Sequence, residues 1–202
     1  MDRDLAAAIL AGGRARRFGG RDKSRLAFGG RPIINRQLDV LQQLTTEIFV
    51  VADDVKRFAS LGLPVYPDLV PAAGALGGIY TALERARADL VIVVGCDLPF
   101  LDAGLLARLA ELAAGHEAAW VQTERGPEPL LACYHLSCRQ AVAGRIAAGQ
   151  LKASDLDQSL RIATLGRAEI ERFGPADRLL ANINTPEDYE RLRSHADDSS
   201  DA

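Results

Sequence analysis

Leu90-Val91-Ile92-Val93-Val94 is an uninterrupted aliphatic run, with no polar residue on either face of the strand that it predicts. A strand of this kind is buried on both sides, as in a parallel sheet covered by helices. The run leads into Gly95-Cys96-Asp97-Leu98-Pro99-Phe100, so a carboxylate follows where the strand ends. Ligands of open α/β sheets bind outside the carboxyl ends of the strands, and Asp97 is therefore the first candidate for a functional residue.

Short aliphatic runs alternate with longer helical patterns on both sides of this strand. Further strands are predicted at residues 5–10, 47–51, 64–66, 119–123, 129–134 and 180–182. Helices are predicted from Pro32 to about Leu44 and over the leucine stripe of residues 105–112, which Gly115 ends. This order is typical of an α/β fold in which a mostly parallel central sheet lies between layers of helices.

Length and composition favour a single globular domain. The 202 residues are 48% hydrophobic and 25% charged, which is ordinary for a folded domain of this size. We assign one domain to residues 1–193, with a first half of about 1–115 and a second half of about 116–193. The small and acidic residues 194–202 predict a disordered tail.

Charge and cysteine usage argue against several classes of protein. A net charge of -3 without a cluster of Lys and Arg gives no footprint for a DNA or RNA backbone. Three cysteines without CxxC spacing argue against a disulfide framework and a zinc cluster. No apolar run approaches the roughly 18 residues of a membrane span, and the start lacks a signal-peptide pattern. We expect a cytoplasmic protein whose nucleotide, if it has one, is a small molecule.

Glycines and cations are concentrated directly after the first predicted strand, in Leu10-Ala11-Gly12-Gly13-Arg14-Ala15-Arg16-Arg17-Phe18-Gly19-Gly20-Arg21-Asp22-Lys23. Glycine lets backbone N–H groups approach a phosphate closely, and Arg17 and Lys23 supply positive charge. The spacing fits neither the G-x-x-x-x-G-K-[ST] phosphate loop nor the G-x-G-x-x-G turn. We interpret the segment as a triphosphate cradle; the alternative is a glycine-rich loop with surface arginines.

Asp97 is the candidate metal ligand. Mg²⁺ is commonly held by one or two carboxylates together with substrate phosphate oxygens and water, so one well-placed aspartate is sufficient. The alternative is that Asp97 caps the following helix, although Pro99 and Asp102 lie nearer to its predicted start.

Two more polar segments follow predicted strands. Tyr66-Pro67-Asp68 leads into Gly74-Ala75-Leu76-Gly77-Gly78, which opens a helix and would let a base or ribose lie against the backbone. Asn182-Ile183-Asn184 precedes Thr185 and Asp188, whose spacing predicts a helix N-cap. Capping accounts for Thr185, whereas the two asparagines are either turn formers or active-site residues.

Taken together, these residues resemble the molybdenum cofactor guanylyltransferase family, within the sugar-nucleotide-transferase-like α/β folds, over roughly residues 5–193. The most specific match is Leu10-Ala11-Gly12-Gly13, followed by Arg17, Gly19-Gly20 and Asp22-Lys23. Related cytidylyltransferases usually begin with Leu-Ala-Ala-Gly, so the glycine at position 12 favours the guanylyl branch. The segments that then match in order are Asp68, Gly74 to Gly78, Cys96 to Pro99 and Asn182 to Pro186.

The resemblance implies a Rossmann-like three-layer nucleotidyltransferase fold and an enzyme that transfers GMP from GTP to molybdopterin. Pyrophosphate would leave, and the product would be the guanine dinucleotide form of the cofactor. The implied nucleotide-binding residues are Leu10, Ala11, Gly12, Gly13, Lys23, Asp68 and Asp97; the implied catalytic residues are Lys23, Arg17 and Asp97; the implied acceptor-binding residues are Asn182 and Asn184. Asp97 would bind the Mg²⁺ cofactor. No general base is expected, because the attacking phosphate is already ionised near neutral pH.

Two segments depart from the family pattern. Val51-Ala52-Asp53-Asp54 stands where the family often has an asparagine, and Gly74 to Gly78 replaces its common Gly-Pro-Leu-Ala-Gly. The alternatives are a cytidylyltransferase or sugar-phosphate nucleotidyltransferase, and a non-catalytic nucleotide-binding module of the same fold. The implied partners are GTP, molybdopterin or a related phosphorylated acceptor, and molybdoenzymes or cofactor-insertion proteins, with neither nucleic acid nor membrane among them.

Overall fold

The computed structural model describes residues 5–12, 27–28 and 30–197. The strands in these ranges are β1 (Leu5–Leu10), β2 (Ala27–Phe28), β3 (Arg31–Pro32), β4 (Glu47–Val51), β5 (Val65–Tyr66), β6 (Leu90–Gly95), β7 (Ala118–Thr123), β8 (Gly126–His135) and β9 (Ile162–Leu165). The helices are α1 (Ile33–Leu41), α2 (Gly74–Arg85), α3 (Ala103–Ala113), α4 (Arg139–Ala147), α5 (Arg167–Ile170), α6 (Ala176–Leu179) and α7 (Pro186–Asp197). Among these helices, none combines the length and the apolar character needed to cross a membrane.

A 7-stranded sheet forms the centre of the fold, in the order β5-β4-β1-β6-β8-β7-β9. β5, β4, β1 and β6 run parallel, and β7 is parallel to β9. β8 is antiparallel to both of its neighbours, β6 and β7. The predicted mostly parallel sheet is therefore confirmed, and β6 is its middle strand.

Helices cover both faces of this sheet. Side chains alternate along a strand, so Ala7 and Ile9 of β1 pack in a cluster with α1 and α3, whereas Ala6 and Ala8 pack in a cluster with α2 and α4. Every residue of β6 is buried, as the aliphatic run predicts. Burial of each large aliphatic side chain contributes about 1.5–3 kcal/mol, and these contacts fix the strand ends at which the site lies.

The strand predicted at residues 180–182 is wrong. The N–H groups of Leu180 and Ala181 donate to the carbonyls of Ala176 and Arg178, at 2.9 and 3.1 Å, and so close a turn at the end of α6. Residues 181–184 follow without regular secondary structure. Leu179 and Leu180 therefore belong to the end of a short helix, which the pair of leucines alone does not distinguish from a strand.

Two helix ends also differ from the predictions. α1 ends at Leu41, because the N–H groups of Gln43 and Leu44 donate three residues back, at 3.2 and 3.0 Å, in tighter turns. α7 continues to Asp197 and so includes residues 194–197, which we assigned to the tail. Residues 198–202 lie outside the described part of the chain.

Candidate active site

The carboxyl ends of β1, β4 and β6 meet at one edge of the sheet. The backbone hydrogen bonds continue one residue past the strands: the Ala11 N–H donates to the Val51 carbonyl at 2.9 Å, and the Cys96 N–H donates to the Leu10 carbonyl at 3.1 Å. The structure thus brings the predicted nucleotide-binding segment of residues 10–12 beside Asp97. Gly12 is exposed, and a Cβ atom at this position would meet no atom of the described residues within 4 Å. The predicted site residues Gly13, Arg17 and Lys23 lie outside the described residues.

Asp97 is partly buried, and its backbone is tied to the segment that carries the predicted acceptor-binding asparagines. The Asp97 carbonyl accepts a hydrogen bond from the Ile183 N–H at 2.9 Å. Ile183 is fully buried, in a small cluster with Ile33 and Leu192. Asn182 and Asn184, on either side of it, are partly exposed and therefore lie next to Asp97.

The capping alternative for Asp97 is wrong. The N-cap of α3 is Asp102, whose Oδ1 accepts a hydrogen bond from the Leu105 N–H at 2.8 Å. A second predicted cap is confirmed at α7, where the Asp188 carboxylate accepts from the Thr185 N–H at 3.0 Å and the Thr185 hydroxyl accepts from the Asp188 N–H at 3.2 Å. This reciprocal pair is a capping box.

Gln37 is a site residue that the sequence analysis missed. Its buried side-chain amide donates to the carbonyls of Gly95 and Leu98, at 2.7 and 3.0 Å, and so holds the loop that carries Asp97. Gln37 lies on the buried face of α1 with Ile34 and Leu41. A polar residue on an otherwise apolar helix stripe was the signal that could have identified it.

Glu128 of β8 is a second functional candidate that sequence reasoning did not find. It is partly buried and lies close enough to Asp97 for their charges to interact. Burial raises the pKa of Glu128 above its usual range; the negative charge of Asp97 raises it further, and the positive charge of Arg125 lowers it. An acid between two prolines, in Pro127-Glu128-Pro129, was the available signal, but we placed the start of the strand after it.

Asp97 and Glu128 offer carboxylate oxygens, which is the ligand type that Mg²⁺ prefers. Within the described ranges, no group of three or more His, Cys, Asp or Glu side chains is arranged to hold a metal ion. These donors fit Mg²⁺ as it is commonly bound at phosphoryl-transfer sites, with substrate phosphates and water completing the coordination.

Asp68 has structural partners in the protein itself. Its Oδ1 accepts from the Val70 N–H at 2.9 Å and lies 3.1 Å from the Thr81 hydroxyl on α2. The carboxylate thereby fixes the turn between β5 and α2. A contact of Asp68 with the nucleoside stays a prediction, and the structure explains the residue without one.

Two glycines of the predicted 74–78 segment are packed against protein. A Cβ atom on Gly77 would lie 2.9 Å from both the Asp68 carboxylate and the Val70 carbonyl, and one on Gly78 would lie 2.8 Å from Leu10. Gly77 lets α2 pack on the turn that follows β5, and Gly78 lets it approach the end of β1. Gly74, at the start of the helix, has a φ of +61° and open space around it, so only the beginning of the segment is free to face a ligand.

A cleft of about 610 Å³ opens in the second half of the domain. It lies between the loop after β6, the β7–β8 hairpin and the segment from α6 to α7. Among its lining residues are Phe100, Glu128, Arg178, Asn182 and Leu192. Both the cleft and Asp97 are therefore bordered by the asparagine segment and by Glu128.

Comparison with known proteins agrees with this arrangement. The model of the MobA-like NTP transferase domain matches residues 7–164. A "Probable molybdenum cofactor guanylyltransferase" of Pelotomaculum thermopropionicum is 31% identical over 191 residues, covering 95% of this chain and 93% of that protein. A protein of the same name in Carboxydothermus hydrogenoformans is 32% identical, covering 94% and 95%.

The solved structures give the same result for the fold. Molybdopterin-guanine dinucleotide biosynthesis protein A of Archaeoglobus fulgidus superposes with a TM-score of 0.82 at 26% identity, over 96% of this chain and 99% of that one. The expected nucleotidyltransferase fold is thereby confirmed. On the extent of the family match and the identity to its relatives, this chain belongs to the family of MobA-like NTP transferase domains.

Proposed function

We propose that this protein transfers GMP from GTP to molybdopterin and releases pyrophosphate, forming the guanine dinucleotide form of the cofactor. The observation that carries the proposal is the meeting of residues 10–12, Asp97 and the Asn182–Asn184 segment at one edge of the sheet, in a chain whose relatives carry the name molybdenum cofactor guanylyltransferase. We further propose that the reaction takes place in the cytoplasm and that molybdoenzymes or cofactor-insertion proteins receive the product.

In this reaction an oxygen of the acceptor phosphate forms a bond to the α-phosphorus of GTP, and the bond between the α-phosphorus and the bridging oxygen of pyrophosphate breaks. The attacking phosphate is already ionised near neutral pH, so no residue needs to remove a proton. What the protein must provide is alignment of the two phosphates and positive charge around them.

The residues of the chain divide this task between them. Residues 10–13 and Lys23 would hold the nucleotide, and Asn182 and Asn184 would position the acceptor. Asp97 would hold Mg²⁺, which when bound offsets the negative charge of the phosphates. Gln37 would position Asp97, because its two hydrogen bonds fix the backbone carbonyls of Gly95 and Leu98, on either side of that residue.

The test is pyrophosphate release from a panel of GTP, CTP, ATP and UTP, each supplied with molybdopterin under reducing conditions. A site that satisfies the polar groups of guanine discriminates against other bases by orders of magnitude in kcat/KM. We therefore expect turnover with GTP alone. Equal turnover of CTP and GTP contradicts the guanylyl assignment, and pyrophosphate release without any acceptor contradicts transfer to molybdopterin.

A further inference from the structure

Arg178 stands between two clefts. It lies in α6 and lines both the 610 Å³ cleft and a second cleft of about 420 Å³, which is bordered by α1 and by the loop after β6. Its guanidinium carbon is 4.8 Å from the centroid of the Phe100 ring, a distance at which a cation is attracted to the aromatic face. The stacked pair therefore forms part of the wall between the clefts and holds the guanidinium in place.

Arg178 differs in its charge environment from two other arginines of the larger cleft. Arg167 pairs with Asp177 at 2.8 Å and with Glu171 at 2.9 Å, and Arg191 pairs with Asp188 at 2.9 Å. Across the part of the chain that the structure describes, Arg178 forms no ion pair with a carboxylate. Within these ranges the guanidinium of Arg178 is therefore not held by a carboxylate, whereas those of Arg167 and Arg191 are.

Two connections fix Arg178 relative to Asp97. Phe100, on which it stacks, follows Asp97 in a loop whose backbone is held by Gln37. The Ile183 N–H, five residues after Arg178, is bound to the Asp97 carbonyl at 2.9 Å. The Phe100 contact and the chain segment that leads to Ile183 thus place Arg178 beside the loop that carries Asp97.

We infer that Arg178 binds the phosphate of the acceptor. The inference rests on the proposed function. A guanidinium offers parallel N–H donors that match two phosphate oxygens, and its stacking on Phe100 reduces the side-chain freedom lost on binding. Apolar surface from Leu180 and Leu192 lines the same cleft and suits a ring.

The test combines a change in the protein with a change in the ligand. Binding of molybdopterin to wild type, R178A and R178K is measured by titration calorimetry under anaerobic conditions, and repeated with molybdopterin whose phosphate has been removed by a phosphatase. Loss of a charged hydrogen-bonding partner predicts that R178A binds the phosphorylated ligand roughly 10- to 100-fold more weakly. R178K should fall between the two, since it keeps the charge without the planar fork. The dephosphorylated ligand should bind wild type and R178A equally.

R172A is the matched control, because Arg172 is also exposed, lies on the neighbouring turn and lines neither cleft; it should bind like wild type. The inference is overturned if wild type does not bind molybdopterin, if R178A binds it like wild type, or if R178A loses the same factor with both ligands. Pyrophosphate release by the wild type is assayed separately. Phosphate-dependent binding that needs Arg178, without release of pyrophosphate, supports the inference and contradicts the proposed function.

Discussion

Asp97 follows a fully buried strand, at the edge of the sheet where the site is expected. Hydrogen bonds with Gln37, Leu10 and Ile183 hold the backbone of the loop that carries it. Asp97→Asn keeps the size of the side chain but removes the charge that attracts a hard cation. We expect turnover to fall roughly a hundredfold or more, with only partial recovery at high Mg²⁺. The measurement is pyrophosphate release across a magnesium titration.

The control for this variant is Asp102→Ala, five residues further along the same loop and helix start. Asp102 caps α3, and the loss of such a cap costs about 1 kcal/mol of stability. Asp102→Ala should therefore lower the melting temperature and leave the magnesium dependence of activity unchanged. Asp97→Asn should change the magnesium dependence without lowering the melting temperature. Wild-type activity of Asp97→Asn at low magnesium contradicts its role as the metal ligand.

Glu128 should make stability depend on pH. Its pKa is raised in the folded protein, first by burial and then by Asp97, so the folded state holds this proton more tightly than the unfolded state. The free energy of unfolding therefore falls as pH rises from the usual glutamate pKa, about 4.3, through the higher folded pKa. Above this pH range the ionised Glu128 destabilises the folded state to its full extent. Below the range Glu128 is protonated in both states, and this destabilisation is absent.

Glu128→Gln removes the charge and should raise the melting temperature at pH 7 by roughly 1 to 2 °C in magnesium-free buffer. At pH 4 the two proteins should melt together. Glu124→Gln, on the exposed tip of the β7–β8 hairpin, serves as the control and should change little at either pH. If Glu128→Gln melts at a lower temperature than wild type at pH 7, the ionised carboxylate stabilises the folded protein and the prediction is wrong.

At the scale of whole elements, the contact between α2 and the turn that follows β5 leaves no space for a side chain at Gly77. A Cβ atom there would lie 2.9 Å from the Val70 carbonyl, which is backbone and cannot rotate away. Gly77→Ala should destabilise the protein by about 1–3 kcal/mol. Gly144→Ala in α4 is the matched control. A Cβ atom at Gly144 would meet no atom of the described residues within 4 Å, so alanine should stabilise that helix by about 0.5–1 kcal/mol. Urea denaturation of both variants measures the difference, and equal effects would contradict this view of the α2 contact.

The elements that the sequence predicts well carry their signal locally. β1 and β6 contain only apolar residues and glycine, and β4 is apolar after Glu47. The Thr185–Asp188 box is a four-residue motif. Gln37 was missed because its partners lie 58 and 61 residues away in the chain. Residues 180–182 were assigned to a strand because hydrophobicity alone does not distinguish a strand from the end of a four-residue helix such as α6.

The residues of the candidate site also differ in whether a local sequence pattern predicts them. Asp97 could be predicted, since it directly follows the strand whose position in the sheet the sequence makes clear. The partners of Asp68 in α2, and the closeness of Glu128 to Asp97, depend on how separate elements pack. No short sequence pattern predicts contacts of this kind.

At the scale of the whole molecule, β6 joins the two halves of the domain. It pairs with β1 of the first half on one side and with β8 of the second half on the other, from Leu90 opposite His135 to Val94 opposite Leu131. α3 packs in the same core cluster as residues of β7 and β8. The halves therefore share one sheet and one core, and we expect them to unfold together.

Trp120 provides a probe for this expectation, because it is the only tryptophan of the chain and lies buried in β7, within the second half. GTP with Mg²⁺ is expected to bind the first half. At a hundred times its Kd it should stabilise the native state by about 2.7 kcal/mol, which corresponds to roughly 5–10 °C for a domain of this size. If the domain is one cooperative unit, Trp120 fluorescence and far-UV circular dichroism give the same melting temperature and shift together on addition of GTP. A tryptophan transition that stays in place while the circular dichroism transition moves would mean that the two halves unfold independently, and that the shared strand pairing does not couple them.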